Sequence, residues 1–184
     1  MPAQATAHDA QRGVSLIDTM AVLSIVSVAI SAAIPELGSL RRSADLSGAA
    51  AQLETDVQFA RSQATAMNRT VQLSLRESAA GSCYVVHVGP AANCSCSHQA
   101  GGAAATCTGD SVLLRAASFA AQGPVQVRSA TKSLTFDPVR GTVTPTATLR
   151  VEGPDGRAIH QVVNLLGRVR SCAPEGRSAY ERPC

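Results

Sequence analysis

Two kinds of apolar pattern divide the chain. From Val14 to Ile34 the sequence is almost uniformly apolar, VSLIDTMAVLSIVSVAISAAI, with one charge, Asp18, near its start and Pro35 just after its end. At about 1.5 Å per residue such a run makes a helix of roughly 31 Å, one hydrocarbon core. Beyond Pro35 the pattern becomes periodic. Leu46, Ala50, Leu53, Val57, Ala60, Ala64 and Met67 recur at spacings of four and three, while Asp45, Gln52, Glu54, Asp56, Arg61 and Gln63 take the other side. That is one apolar face of an amphipathic helix, and a sheet must pack on it. The expectation is one long N-terminal helix reaching about Asn68: a membrane-spanning and assembly part over 14–34, then an amphipathic part over 35–69.

After residue 70 the period shortens to two. Thr70–Arg76 alternates with Val71, Leu73 and Leu75 on one face, and Cys83–Val88 is rich in β-branched and aromatic residues. Further strands are expected at Ser111–Phe119, Val125–Arg128, Leu134–Phe136, Thr142–Val151 and Ala158–Leu165. Gly123-Pro124, Asp137-Pro138 with Gly141, and Gly153-Pro154-Asp155-Gly156 punctuate them as turns. Gly89–Asp110, rich in Gly, Ala, Ser and Cys, reads as a long loop. Short strands with frequent turns point to antiparallel sheets. The fold class is therefore α+β: a long N-terminal helix packed on an antiparallel β-sheet head over 70–184, ending in a basic tail.

Composition narrows the function. Of 184 residues 45% are hydrophobic and 16% charged, which excludes a disordered chain. Only 3% are aromatic, so a site of stacked rings is not expected. The net charge of +3 is uneven, with six basic and eight acidic side chains over 1–110 and ten basic and five acidic over 111–184. The basic second half permits an anionic partner. No nucleotide loop, HExxH, EF-hand or GxSxG occurs, and His87, His98 and His160 are isolated. The expectation is a non-enzyme with no cofactor and no metal.

Asp18 decides between readings of the apolar run. An ordinary signal peptide cleaved after Ala33 fits the small-x-small Ser31-Ala32-Ala33, and a plain anchor fits the length. Neither supplies the cation that a carboxylate inside a membrane helix asks for. Arg12-Gly13-Val14-Ser15-Leu16-Ile17-Asp18 resembles the prepilin signature of type IV pilins and type II secretion pseudopilins. The resemblance implies a leader over 1–13, cut between Gly13 and Val14 by prepilin peptidase, with methylation of the new terminus. It also implies that Asp18, fifth in the mature chain, pairs with the N-terminal amine of a neighbouring subunit, and that Pro35 is the family's proline. The chain departs from the pattern in having Asp for the usual Glu at 18 and Thr19 for the usual Leu.

Ala60-Arg61-Ser62-Gln63-Ala64 with Asn68 is similar to the helix-to-strand junction of GspH/FimT-type minor pseudopilins, and Leu134–Gly141 and Val162–Arg170 are similar to that family's late strands. This resemblance implies a subunit held by one pass in the bacterial inner membrane before assembly into a filament with other pilin or pseudopilin subunits, its head in the periplasm or on the filament surface.

Outside the cytoplasm the six cysteines favour disulfides. Cys172 and Cys184 are expected to close the tail, and Cys83, Cys94, Cys96 and Cys107 to brace the long loop, Cys94 and Cys96 being too close to pair with each other. Zinc held by Cys94, Cys96, Cys107 and His98 is the weaker alternative, because Cys-x-Cys lacks the usual spacer. The last feature is Gly167-Arg168-Val169-Arg170. In a strand Arg168 and Arg170 would present two guanidiniums on one face, about 7 Å apart, a spacing suited to consecutive phosphates. A solvated strand end with the arginines paired to Glu175 or Glu181 is the plainer reading. Gly-Arg-x-Arg resembles the C-terminal motif of FimT-type minor pilins, which implies a contact with double-stranded DNA. Whether the host filament is a type IV pilus or a type II secretion pseudopilus, with a protein partner instead of DNA, stays open.

Overall fold

A computed structural model describes residues 15–99, 102–174 and 183–184, with only the backbone for 32–36. Gly13, Val14, Glu175, Arg177, Glu181 and Arg182 lie outside the described residues. Helix α1 runs Leu16–Met67, followed by β1 (Val71–Ser78), β2 (Gly81–Val88), a 3-10 turn (Ala91–Asn93), β3 (Cys94–Gln99), β4 (Gly102–Cys107), β5 (Val112–Ala120), β6 (Gln126–Arg128), β7 (Ser133–Phe136), β8 (Val143–Thr144), β9 (Ala147–Glu152), β10 (Ala158–Val163) and β11 (Val169–Cys172). The chain divides into two units, residues through Leu40 and Arg41–Cys184.

In the first unit the apolar side chains of α1 are exposed, among them Ile17, Leu23, Ile25 and Val28. The hydroxyls of Thr19, Ser24, Ser27 and Ser31 donate to carbonyls three or four residues back in the same helix. Each polar group is thus satisfied within the helix, and the apolar surface is not interrupted by a hydroxyl seeking water. Among the described residues no helix is long and apolar enough to cross a membrane. Of the expected span, Val14 and the side chains of 32–34 lie outside the description.

The second unit holds the core. Leu46, Ala50, Leu53, Val57, Ala60 and Ala64 are each at most 1% exposed and meet both sheets, through Tyr84 and Val86 on one side and Val127, Leu149 and Ile159 on the other. The stripe ends one turn earlier than the periodicity suggests, since Met67 is exposed. Asn68 then adopts a left-handed conformation (φ 49°), and the amide of Arg69 donates to the Ala64 carbonyl, which stops the helix.

All strand pairs within the sheets are antiparallel. A five-stranded sheet is ordered β5-β2-β1-β7-β8, and a four-stranded one β11-β10-β9-β6. Buried Gln161 on β10 donates to the Ala50 carbonyl at 3.1 Å, tying the second sheet to the helix.

Two expectations need correction. Gly89–Asp110 is not a loop: most of it is the β3–β4 hairpin, which covers the outer face of β2. Ala, Ser and Gly carry little β-propensity, so the pattern hid it. Cys83–Cys96 joins the hairpin to β2, Cys94–Cys107 crosses the hairpin, and Cys172–Cys184 closes the tail. Cys83 and Cys107 are therefore both bridged, but not to each other. No cysteine is free, and the zinc alternative loses its thiolates, with His98 Nδ1 instead 3.1 Å from Ser118 Oγ. Thr142–Val151 is not one strand either. Proline at 145 cannot donate to a ladder, and the chain passes there from β8 in one sheet to β9 in the other.

Candidate functional site

The Gly-Arg-x-Arg segment lies at the turn from β10 to β11. Asn164 builds that turn: its Oδ1 accepts the amides of Leu166 (3.0 Å) and Arg168 (2.9 Å), and its carbonyl accepts the amide of Gly167 (2.9 Å). Gly167 has φ +69°, and a Cβ there would stand 2.9 Å from Val143 Cγ2 and 3.0 Å from Arg61 Cδ. The glycine is required twice over, for its backbone conformation and for the close approach of the turn to β8 and α1.

From there the pleat sorts the side chains. Val169, paired with Val163, packs on the core, and Ser171, paired with Gln161, donates to Gln161 Oε1 at 2.9 Å. Arg170, paired with Val162, is exposed on the opposite face, the one turned away from α1. Arg168 is exposed too, but it precedes β11 and does not lie within a strand as expected. Arg170 Nη2 donates to the main-chain oxygen of Cys184 at 3.2 Å. Among the described residues Arg168 forms no ion pair with a side-chain carboxylate.

The same outer face carries further cations. Arg128 on β6 lies directly opposite Arg150 on β9, and Arg150 directly opposite His160 on β10. Arg128 meets Glu152 at 3.7 Å, and Lys132 meets Glu77 at 2.7 Å. The Lys132 hydrogen bond holds the Glu77 carboxyl below its ordinary range. Partial burial, with the positive charge of Arg150, lowers the pKa of His160. Between β6, β9 and β10 an open groove of about 550 Å³ is lined by Glu77, Arg128, Lys132, Thr148, Arg150 and Val162.

Beneath the five-stranded sheet lies a polar cluster that the sequence reading missed. Tyr84 Oη donates to Asp56 Oδ2 at 2.7 Å, Arg115 Nη1 donates to Asp56 Oδ1 at 2.6 Å, and the Arg115 guanidinium stacks 3.8 Å from the Phe59 ring centroid. Burial, then the hydrogen bond to Asp56, raises the Tyr84 pKa. Asp56, expected on the polar side, is buried. A signal existed: Asp56 is three residues after Leu53 and four before Ala60, which puts it on their face. On β2, His87 is fully buried with Nε2 3.1 Å from Ser74 Oγ, and burial lowers its pKa.

The filament-forming candidates sit in the first unit. Asp18 is exposed in the first turn of α1, where the partial positive charge of the helix terminus favours a carboxylate. Helix α1 continues through Pro35.

A helix face closing one core with two antiparallel sheets, and an outer surface rich in arginine, define the head. The family model for type II transport protein GspH matches residues 49–167. The chain belongs to that family, the GspH/FimT-type minor pseudopilins, and is a structural subunit of the pilin and pseudopilin kind and not an enzyme. A solved structure, the type IV minor pilin FimU of Pseudomonas aeruginosa, is similar with a TM-score of 0.49 at 20% identity, over 74% of this chain and 96% of its own. No curated protein matches.

Proposed function

We propose that this chain is a minor filament subunit whose head meets double-stranded DNA through Arg168 and Arg170. The observation that carries the reading is the exposure of both Arg168 and Arg170 beside the face of the four-stranded sheet that points away from α1. Prepilin peptidase cuts between Gly13 and Val14, the apolar part of α1 holds the subunit in the cytoplasmic membrane until assembly, and Asp18 pairs with the terminal amine of a neighbouring subunit. Aromatic side chains are too few for base stacking, so contacts are to phosphate and largely blind to sequence.

The test is binding of duplex DNA as a function of salt. Affinity near roughly 10⁻⁴–10⁻⁶ M at physiological salt is expected, with a log–log slope of about −0.9 per phosphate neutralised. Arg168→Gln with Arg170→Gln should lower that slope by up to about two. A folded double variant with unchanged affinity and slope overturns the DNA reading.

A second reading is a type II secretion pseudopilin whose head binds protein. Exposed Val139, Leu165 and Leu166 favour it, since the turns that carry them are joined by the Val143 amide donating to the Leu165 carbonyl at 2.7 Å. Loss of DNA binding with retained filament incorporation would select it.

A further inference from the structure

We infer that the phosphate-binding surface extends across the outer face of the four-stranded sheet, with Arg150 as a second anchor and Arg128 beside it. The inference rests on the DNA reading above and extends it to residues outside the Gly-Arg-x-Arg segment.

The register carries the argument. Arg128 and Arg150 are directly opposed across β6 and β9. Like charges in that position destabilise a sheet. Arg128 is relieved by Glu152 at 3.7 Å and by its hydrogen bond to Gln126 Oε1 at 3.2 Å. Arg150 has no such relief: among the described residues it forms no ion pair, and its cross-strand neighbour on the other side is His160. The groove is also lined by the Thr148 hydroxyl and by two carboxylates, Glu77 and Glu152, which Lys132 and Arg128 hold, so the exposed Arg150 guanidinium is left to be completed by an external anion.

Spacing says what kind of anion. Arg170 is opposite Val162, which is opposite Thr148, and Arg150 is two residues further along β9. Two strand separations of about 4.8 Å and two residue rises of about 3.4 Å put the Arg170 and Arg150 backbones roughly 12 Å apart. Side chains standing parallel from those positions meet two successive phosphates. A ligand carrying charges at regular intervals along a rigid rod fits that spacing, and the phosphate backbone of a duplex is such a ligand. Among the described residues the groove is lined by no aromatic ring for an unstacked base, which disfavours a single strand.

The test uses the full chain in zwitterionic detergent and a duplex of about 30 base pairs, read by fluorescence anisotropy over a salt series, each single phosphate contact adding about 0.9 to the slope. Arg150→Gln should lower the slope by about that amount, and Arg150→Lys should restore most of it. If Arg150→Gln leaves the slope unchanged while Arg168→Gln with Arg170→Gln lowers it, the extended surface is wrong and the DNA reading stands. If the wild-type chain shows no salt-dependent binding, both fall. A loss of slope in the Lys variant as well as the Gln variant would mark Arg150 as a packing residue and overturn the inference. So would polyglutamate displacing the duplex with the same dependence on Arg150, which would assign the face to an acidic polypeptide.

Discussion

Removing the carboxylate of Asp56 should be among the most damaging single changes in the head, and its cost can be worked from the geometry. Asp56 accepts from the Tyr84 hydroxyl at 2.7 Å and from Arg115 at 2.6 Å. In Asp56→Ala the Tyr84 hydroxyl, on a fully buried residue, loses its acceptor, a loss of about 1–3 kcal/mol. The Arg115 side chain is 43% exposed, so its charge returns to water, and its share is discounted to about 1 kcal/mol or less. Stacking on Phe59 persists and limits further loss. The sum is about 1–4 kcal/mol, or a Tm fall of roughly 3–15 °C for a domain of this size.

Guanidinium unfolding of the oxidised unit 41–184, followed by circular dichroism at constant m, measures it. The sharper check is a sign. Tyr84→Phe alone removes a bond to a charged acceptor and should destabilise by about 1.5–3 kcal/mol. In the Asp56→Ala background the same change removes an orphaned hydroxyl and should be neutral or stabilising. Equal costs in both backgrounds, or an Asp56→Ala effect within about 0.5 kcal/mol, would refute the reasoning.

Four other outcomes are expected. Burial lowers the His87 pKa below its ordinary 6.5, so as pH falls through that value the unfolded chain takes up the proton first and the head loses stability. His87→Gln should flatten the stability profile between pH 7.5 and 5, and an unchanged profile would place the acid sensitivity elsewhere. Gly167→Ala forces a left-handed alanine against Val143 and Arg61 and should cost about 1–3 kcal/mol, read as a lowered Tm; a variant as stable as wild type would mean that the turn relaxes freely. Asp18→Ala should leave membrane insertion intact while incorporation into sheared filaments falls, and Gly13→Ala should retain the leader; a mature N-terminus at Ile34 by mass spectrometry would instead indicate ordinary signal peptidase.

The parts of the fold written in local periodicity were legible. Leu46 to Ala64 repeat at helical spacing and are buried, and Val71, Leu73 and Leu75 alternate and are buried. The β3–β4 hairpin was not legible, because its strands are built from Cys, Ser, Ala and Thr, whose order comes from two disulfides and from burial against β2 and not from their own preference. Cysteine pairing is a property of the folded chain: six cysteines allow fifteen pairings, and spacing excludes few of them. The expected strand over 142–151 failed for a related reason. Its two halves have the right composition for β structure, and only the proline between them indicates that they serve different sheets.

The arginine site divides along the same line. Arg168 and Arg170 can be proposed from the sequence because they are two residues apart, a distance that a sequence displays. Arg128 and Arg150 are twenty-two residues apart and become neighbours only through the register of β6 on β9. Nothing local in either strand marks that register. It is set by the inward residues, Val127 opposite Val151, since a slip of β6 by one residue would turn Val127 to solvent and Arg128 into the core. The core therefore places these two cations side by side. Hydrophobic burial of a valine pair contributes more than the repulsion of two exposed guanidiniums costs, so the sheet holds the like charges together without any ligand. The proposed anion would therefore meet a site already organised, and its binding would relieve a repulsion that the fold sustains.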